Sequence, residues 1–277
     1  MIIQDFILDE HIKNALKEDI GFGDITTDIL VKEDSTIEAK LVTREECILC
    51  GIDIAERVFK ILSSNIVMQK LFKDGDRVSC GNEIAIIQGS ARAILKGERT
   101  ALNYLQRLSG IATETMKYQE AIGEYKARIT DTRKTTPNFR IFEKYAVSVG
   151  GARLHRFNLS DCVMIKDNHI AFSGSITNAV NEIRKHLSHT HKIEVECDNI
   201  NQVIEAIEAR ADIIMLDNMT YDEMRRSVEL IGNKALIEAS GNVTLGNIND
   251  IAATGVDVIS SSAIVAKARP IDIGLDF

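Results

Sequence analysis

One short segment of an acidic chain carries a high density of cationic side chains. Residues 131–140, DTRKTTPNFR, contain Arg133, Lys134 and Arg140 among three threonines. The whole chain has 33 Lys and Arg against 41 Asp and Glu, a formal net charge of -8. Because such a chain repels other polyanions, we expect no nucleic-acid partner and no membrane partner, and an anion-binding site has to be a local feature.

Other polar residues recur where short apolar, β-like runs end. The run ends are residues 131–134 (DTRK), 166–167 (KD), 196 (E), 217–218 (DN), 240–241 (SG) and 260–262 (SSS). The interior of a strand that is buried on both faces does not hold such side chains without partners. Their recurrence predicts that they converge on one site, although strand ends can also be polar simply because they reach the surface.

The residue types indicate a ligand with several negative charges. Four cations lie in or near these run ends: Arg133, Lys134, Arg156 and Lys166. The fork of an arginine matches a carboxylate or a phosphate, and the serine-containing ends offer hydroxyl and backbone N–H groups to a phosphate. Glu196 and Asp217 could bind sugar hydroxyls, hold a Mg²⁺ that keeps most of its waters, or stabilise developing positive charge. A phosphorylated sugar and a second, carboxylate-bearing substrate would satisfy all three groups.

The second half of the chain alternates strand-like and helix-like segments. Its β-rich runs are ARITD, CVMIKD, IEVECD, DIIMLD, ALIEAS and VDVISS, and its amphipathic segments are TNAVNEIRKHL, INQVIEAIEAR, YDEMRRSVELI and INDIAATG. Strict alternation predicts a parallel sheet with crossover helices. Thr220 and Glu223 predict a capping box where the YDEM helix begins. The six strand candidates favour an α/β barrel with fewer than eight strands over an open doubly wound sheet.

The first half has a different texture. An opening helix around HIKNALKEDI is followed by strand-like pieces, TIEAKLVTREECILC and EIAIIQG, with glycine turns at residues 75, 81 and 89. Residues 96–122 keep a helical period, and we expect a break near Ser109 and Gly110. The prediction is an α/β protein with an N-terminal α+β sandwich-like domain (1–110), joined by the C-terminal tail (268–277), and a barrel domain (111–267).

Cysteine and histidine do not indicate a metal or redox site. The five cysteines are odd in number and scattered, which favours reduced thiols. Cys47 and Cys50 form a CxxC, but no second pair and no helix start is evident beside them, so a structural role is preferred. His186, His189 and His191 lie in a polar turn without an evident carboxylate partner, which indicates a solvated loop.

Seven segments, taken in order, carry a family resemblance. They are GERTALNYLQRLSGIAT, DTRKTTPNFR, KYAVSVGGARLHRFNLSD, MIKDNHI, IEVECD, MLDN and EASGN, and EDIGFGDITTDI and DIGLDF extend the match to both ends. The chain resembles the quinolinate phosphoribosyltransferases, also called nicotinate-nucleotide pyrophosphorylases (carboxylating). The resemblance implies transfer of a phosphoribosyl group from 5-phosphoribosyl-1-pyrophosphate to quinolinate in de novo NAD biosynthesis, with release of pyrophosphate and CO₂. It implies Mg²⁺ with the pyrophosphate, no organic cofactor, and a homodimer or larger assembly.

The resemblance also implies roles for individual residues. Arg133, His155, Arg156 and Lys166 would bind the two carboxylates of quinolinate, and Arg99 would reach the same ligand from a neighbouring subunit. Lys134 and Lys166 would approach the pyrophosphate or ribose, with Thr132 at the strand end. Glu196 and Asp217 would bind ribose hydroxyls and metal-bound waters. The 5-phosphate would be received by Ser240, Gly241, Asn242, Ser261, Ser262 and Ala263. Of these, Lys134, Lys166, Glu196 and Asp217 are the expected catalytic residues.

Some assignments have competitors. Glu194 shares a strand face with Glu196 and competes for its role. His155 by itself could be an ordinary core histidine, Arg99 a surface cation and Arg107 a structural one, and Arg140 and Lys144 are expected to be solvated. The family commonly has glycine where this chain has Asn138, Ala152, Ser262 and Ala266, and asparagine where it has Leu154. Glycine often marks a positive φ or a close approach, so these departures concern loop geometry.

Three other functions stay open at this point. Lys166 could form a Schiff base in a barrel aldolase, the chain could be a non-catalytic anion receptor, or it could use nicotinate without decarboxylation. Retention of Glu196 and Asp217 argues against a mere receptor, and the number of cations favours the dicarboxylate. The segment MIIQDFILDE has acids where a signal peptide needs cations, and no apolar run approaches the roughly 20 residues that span a bilayer, so we expect a cytoplasmic protein.

Overall fold

The computed structural model describes residues 2–277, and contacts between them define two compact units. The first unit comprises residues up to Met116, then Thr136–Gly151 and Ala268–Phe277, and the second comprises Lys117–Thr135 and Ala152–Lys267. The predicted domains were 1–110 with the tail 268–277, and 111–267, whereas in this division residues 111–116 and 136–151 also group with the first unit.

The elements are numbered in chain order. The helices are α1 (Asp5–Ile20), α2 (Ile25–Leu30), α3 (Ile52–Leu62), α4 (Ala91–Ile122), α5 (Arg140–Val149), α6 (Asp167–Ser173), α7 (Ile176–His186), α8 (Ile200–Glu208), α9 (Tyr221–Ile231), α10 (Ile248–Ala252) and α11 (Ala263–Ala266). The strands are β1 (Thr36–Thr43), β2 (Cys47–Ile48), β3 (Val67–Lys70), β4 (Arg77–Val78), β5 (Glu83–Ser90), β6 (Arg128–Thr130), β7 (Val163–Ile165), β8 (Ile193–Cys197), β9 (Ile213–Asp217), β10 (Leu236–Ser240), β11 (Val258–Ser260) and β12 (Ile273–Asp276).

An antiparallel sheet organises the first unit. Its strand order is β12, β1, β5, β3, and the tail strand β12 pairs with β1 from Thr43 opposite Ile273 to Lys40 opposite Asp276. Helix α3 buries Ile52, Ala55 and Phe59 at helical spacing, as an amphipathic helix packed on a core should. The unit is therefore of the predicted α+β type.

A parallel sheet organises the second unit. Its strand order is β6, β11, β10, β9, β8, β7, every pairing is parallel, and Arg153 forms a further parallel bridge to Thr130 at the β6 edge. All six predicted strands are present, which confirms the predicted α/β architecture with fewer than eight strands. The predicted Thr220–Glu223 capping box at the start of α9 is confirmed.

Alternation along the strands sorts apolar from polar side chains. In β8, Ile193, Val195 and Cys197 are buried on one face, whereas Glu194 and Glu196 point to the other. The register continues this polar face: Glu196 lies opposite Met215 in β9, and Asp217 lies opposite Ser240 in β10. The face of the sheet away from its apolar helix-packing residues therefore carries the residues that could do chemistry.

The predicted break at Ser109 and Gly110 is wrong, because α4 is one continuous helix of 32 residues. Gly110 has a packing role instead. A Cβ atom built on it would lie 2.0 Å from the carbonyl oxygen of Arg269, so only glycine lets the tail approach the helix this closely. Sequence alone could not separate a helix-breaking glycine from one that makes room.

The cysteines are all free thiols, as predicted. Contrary to the prediction, a helix does begin beside the CxxC, at Ile52. Both thiols are nevertheless buried, and burial raises the pKa of Cys47 to about 11 and that of Cys50 well above its usual value. A redox motif needs the opposite shift, so these thiols are structural. Within residues 2–277, no helix combines the length and apolar character required to cross a bilayer.

Candidate active site

The carboxyl ends of the parallel strands surround a cavity of about 780 Å³, called the strand-end cavity below. It gathers residues from strands β7 to β11 and from loops that follow the strands, including the loop after β6. The predicted residues that line it are Thr132, Arg133, Lys134, His155, Arg156, Lys166, Glu196, Asp217, Ser240, Gly241, Asn242, Ser261, Ser262 and Ala263. In a sheet of this kind, the carboxyl ends of the strands are where ligands bind.

Cations form one wall of this cavity. The loop after β6 is turned by Thr132, whose hydroxyl accepts the N–H of Lys134 at 3.0 Å. The guanidinium of Arg156 is held by the carbonyl of Cys162 at 2.9 Å and by the sulfur of Met164 at 3.4 Å. A guanidinium fixed in this way can meet an anion without first losing its own conformational freedom.

Carboxylates stand at the ends of two neighbouring strands. Lys166 Nζ forms an ion pair with Glu196, and its side chain is 42% exposed, so it is open to the cavity. Glu196 lies opposite Met215 in the register, which puts it beside the β9 strand that ends at Asp217.

A hydrogen-bonded link joins the ends of β9 and β10. Asn218 Nδ2 donates to Asp217 at 2.7 Å, and Asn242 Nδ2 donates to Asn218 Oδ1 at 3.0 Å. Asn218, Gly241 and Asn242 all have positive φ, and a Cβ atom on Gly241 would lie 2.2 Å from Asn218 Oδ1. Only glycine lets this loop approach Asn218, and the loop in turn orients Asp217.

The loop after β11 presents small hydroxyl residues to the cavity. Ser261 Oγ accepts the N–H of Ala263 at 3.2 Å, and the N–H of Ser261 donates to Thr130 O at 3.0 Å. Ser260 is 3% exposed, and its hydroxyl has no hydrogen-bond partner within residues 2–277. Hydroxyl and backbone N–H groups of this kind are suited to phosphate oxygens.

The departures from the family pattern are conformationally mild. Asn138 has φ 62°, so it adopts the left-handed conformation expected of the glycine it replaces, and asparagine tolerates that region well. Ser262 has φ -76°, where a side chain adds no backbone strain. Leu154 is 37% exposed.

His155 and Glu194 lie under the cation wall. Oxygens of Glu194 and Glu238 are 3.5 and 3.4 Å from His155 Nε2. Burial lowers the pKa of His155 whereas the two carboxylates raise it, and the carboxylates favour a proton on Nε2, the nitrogen that faces them. Glu194 is 1% exposed and does not line the strand-end cavity, whereas Glu196 does. The two glutamates of β8 thus occupy different surroundings.

Several other predicted positions lie outside this cavity. Arg99 is an exposed residue of α4 in the first unit. Arg107 donates to Glu143 at 2.7 Å and to Ala268 O at 2.8 Å within that unit. The expectation that Lys144 is solvated is wrong, because it is fully buried in α5. An α5 face that packs inward at helical spacing carries it, and the charge pattern of the sequence did not reveal this.

The histidine-rich turn is exposed, as predicted for a solvated loop. One detail was wrong: His186 is the last residue of α7, and its Nε2 lies 3.5 Å from Glu182 one turn earlier. An exposed pair of this type contributes little to stability.

Sequence reasoning missed Lys267 and the apolar floor of the cavity. Lys267 lines it directly after α11, and Met164, Met215 and Val243 line it as well. A cation one helical turn after the serine-rich loop was the available signal for Lys267. The apolar floor gave no such signal, since those residues resemble ordinary strand interior.

Comparisons with known proteins agree with this geometry. The family model "Quinolinate phosphoribosyl transferase, N-terminal domain" matches residues 24–109, and "Quinolinate phosphoribosyl transferase, C-terminal domain" matches residues 111–276. The chain is 45% identical over 272 residues, 97% of this chain and 92% of the relative, to a Synechocystis protein called "Probable nicotinate-nucleotide pyrophosphorylase [carboxylating]". It is 38% identical to "Quinolinate phosphoribosyltransferase [decarboxylating] 1b" of Nicotiana tabacum, across 95% of this chain and 80% of that one.

A solved structure extends the likeness to three dimensions. The crystal structure of NadC from Streptococcus pyogenes superposes with a TM-score of 0.97 at 39% identity and covers 100% of this chain and 98% of that chain. Both domains of the family are thus matched, and the strand-end cavity is formed by the second of them. The chain belongs to the quinolinate phosphoribosyltransferase family.

Proposed function

We propose that the protein transfers the phosphoribosyl group of 5-phosphoribosyl-1-pyrophosphate to quinolinate, with decarboxylation to nicotinate mononucleotide. One observation carries this proposal. A single cavity combines a wall of cations, two carboxylates at neighbouring strand ends and two loops rich in hydroxyl and N–H groups. These are the groups needed for a dicarboxylate, a ribosyl cation and a phosphate respectively.

The cation wall would bind the acceptor. Arg133, Arg156 and Lys166 would hold the two carboxylates of quinolinate, because two such groups stripped of water need several fixed positive charges. His155, which lies beneath the cation wall, would also help to bind these carboxylates. Lys134 and Lys166 would also approach the pyrophosphate, and the loops at 240–242 and 261–263 would receive the 5-phosphate.

The reaction would proceed by displacement at the ribose. The ring nitrogen of quinolinate forms a bond to C1 of the ribose while the bond from C1 to the pyrophosphate oxygen breaks. Glu196 and Asp217 would stabilise the positive charge that develops at C1. Loss of CO₂ from C2 then leaves its electron pair on the ring next to the cationic nitrogen, and C2 takes up a proton. No organic cofactor is needed for these steps.

Magnesium would arrive with the pyrophosphate substrate. Glu196 and Asp217 supply hard carboxylate oxygens at the cavity, which suits an ion that keeps several of its waters. We assign neither residue as a direct ligand. We also propose a homodimer or larger assembly in which Arg99 serves the neighbouring subunit, and a cytoplasmic location.

A paired-product assay tests the proposed function. Purified protein, Mg²⁺ and 5-phosphoribosyl-1-pyrophosphate are mixed with quinolinate or with nicotinate, and CO₂ and mononucleotide are measured together. We expect equal amounts of both products from quinolinate and none from nicotinate. Asp217→Asn should lose most of the activity, whereas Asp222→Asn, at an exposed residue of α9, should keep it. Mononucleotide from nicotinate without CO₂ would replace the proposal with a non-decarboxylating transferase.

A further inference from the structure

A buried cluster beneath the cation wall, formed by His155, Glu194 and Glu238, has a contact pattern that the proposed function leaves unexplained. Glu194 and Glu238 are 1% and 4% exposed. Apart from their approach to the imidazole, both oxygens of Glu194 and Oε1 of Glu238 have no hydrogen-bond partner in the part of the chain described, residues 2–277. Two buried carboxylates with so few partners are costly, so their presence calls for a reason.

The other side of the imidazole is fixed as well. His155 Nδ1 accepts the backbone N–H of Arg156 at 2.7 Å, and the backbone N–H of His155 donates to Asp131 at 2.8 Å. A nitrogen that accepts a hydrogen bond carries no proton, so the ring proton is on Nε2, between the two glutamates. The two carboxylates thereby favour the tautomer of His155 that carries its proton on Nε2. In that tautomer, Nδ1 is free to accept the backbone N–H of Arg156.

The same cluster could alternatively bind a metal ion, because the ligand atoms of its three side chains lie within 4.8 Å of one another. A metal on Nε2 needs the lone pair of that nitrogen. The Nδ1 contact with Arg156 leaves Nε2 protonated, and metal-bound histidines normally donate from their other nitrogen rather than accept there. The hydrogen-bonded arrangement therefore fits the contacts better.

Arg156 connects the cluster to the cavity. Its guanidinium is anchored by Cys162 and Met164, and its backbone is anchored by His155. We propose that Glu194 and Glu238 are positioning residues, which hold His155 and through it Arg156 in the geometry that binds the carboxylates of quinolinate. This inference rests on the proposed function of the strand-end cavity.

If Glu194 and Glu238 acted only through their charge, they would weaken the binding of quinolinate rather than support it. Negative charge on Glu194 and Glu238 lies close to a site for a dianion, so removing it should strengthen anion binding by Coulomb's law. A positioning role predicts weaker binding after the same change. Other charged or titratable groups face the cluster and stay constant in the comparison: Asp131, Arg156, Cys162, and at the amino ends of the strands Arg128, Arg153 and Asp161.

The test uses near-isosteric variants of the whole protein. We expect the KM for quinolinate to rise about fivefold in Glu194→Gln and in Glu238→Gln, and about tenfold or more in the double variant. Changes of this size are typical of residues that orient the binding residues without contacting the ligand. The KM for 5-phosphoribosyl-1-pyrophosphate should change less than twofold. Glu229→Gln, at an exposed position of α9, serves as the matched control. A lower KM for quinolinate in the double variant, or equal rises for both substrates, would overturn the proposal.

Nitrogen NMR of the histidine rings provides a readout independent of turnover. His155 is identified by its loss in His155→Asn, and we expect its Nε2 to be protonated and its Nδ1 unprotonated in the substrate-free protein. The double glutamine variant should show a mixture of tautomers. This experiment stands even if quinolinate is not turned over, so it separates failure of the cluster from failure of the proposed function. A stoichiometric divalent metal in the wild type that the double variant loses would also overturn the inference.

Discussion

Arginine and lysine offer different geometries to a carboxylate, and the cation wall of the strand-end cavity contains both. Arg133 lies in the loop after β6, and Lys166 directly follows β7. The flat fork of a guanidinium can form two parallel hydrogen bonds to one carboxylate, whereas an ammonium acts as a point charge. Replacing Arg133 by lysine keeps the positive charge but removes the guanidinium fork, so this variant shows whether quinolinate binding requires the charge alone or also the shape.

We expect Arg133→Lys to raise the KM for quinolinate about tenfold and Arg133→Ala about a hundredfold, since both lose the bidentate pair and one also loses the charge. Steady-state kinetics with each substrate varied in turn measures this. Arg225→Lys, at an exposed surface ion pair, should leave both constants unchanged. If lysine restored full quinolinate affinity, shape would be irrelevant at this position.

The sequence was informative about residues whose backbone position determines their role. Lys166, Glu196 and Asp217 could be assigned because each follows an apolar run, and the ends of parallel strands meet at one edge. The sequence was less informative about the direction in which a side chain points. Nothing local indicates that Lys144 points into a core or that His155 turns towards two glutamates, because both depend on partners distant in the chain.

At the scale of elements, short loops between strand and helix determine where the ligand groups lie. The β9 and β10 loops are linked through Asn218 and Asn242, and Gly241 allows the approach. Helix α4 depends on glycine in a similar way, because Gly110 makes room for the tail at Arg269. The sequence predicted the elements well, since their periodicity is local, but it misjudged Gly110, since close packing is not local.

We expect Gly241→Ala to raise the KM for 5-phosphoribosyl-1-pyrophosphate about tenfold, because the added methyl group collides with Asn218 and displaces the loop that would receive the 5-phosphate. Gly232→Ala is the matched control, for Gly232 also has a positive φ but has nothing within 4 Å of its Cβ position. Both positions have a positive φ, so alanine is strained at either one, and a rise in the KM for 5-phosphoribosyl-1-pyrophosphate that is confined to Gly241→Ala supports the contact with Asn218. Equal effects would mean that strain alone is responsible.

Gly110→Ala should lower the free energy of unfolding by about 2 kcal/mol or more, even though alanine normally favours a helix interior. The carbonyl of Arg269 is backbone and cannot turn aside from a Cβ atom at 2.0 Å. Gly246→Ala, where the nearest atom is 3.9 Å away, should change stability by less than about 0.5 kcal/mol. Denaturant unfolding of the two variants gives the comparison, and a stabilised Gly110→Ala protein would contradict the packing role.

At the scale of the whole molecule, the proposed assembly makes a quantitative prediction. If Arg99 serves the site of a neighbouring subunit, an Arg99→Ala chain and an Arg133→Ala chain, each nearly inactive at a quinolinate concentration far below the KM of the variants, can complement each other. In a mixed dimer one site then has both defects and the other has none. Random association of equal amounts should restore about a quarter of the wild-type activity.

Coexpression of the two variants with different affinity tags measures this, with each variant expressed alone as the control. If Arg99 acts within its own chain, every site in the mixture keeps a defect and no activity returns. Failure of the chains to associate at all would contradict the proposed dimer, and size-exclusion chromatography detects that outcome separately.

The pairing of β12 with β1 has a consequence for how the protein is made. Ile273 pairs with Thr43, its partner 230 positions earlier, and the whole parallel sheet is encoded between them. At about 5 to 20 residues per second, a ribosome needs roughly 12 to 46 s to bridge that interval. During this time β1 can pair with β5 on one side while its other side presents unpaired N–H and C=O groups, which is the template for unwanted strand addition. The nascent chain therefore has a long interval in which a chaperone is useful, and the emergence of β12 ends it.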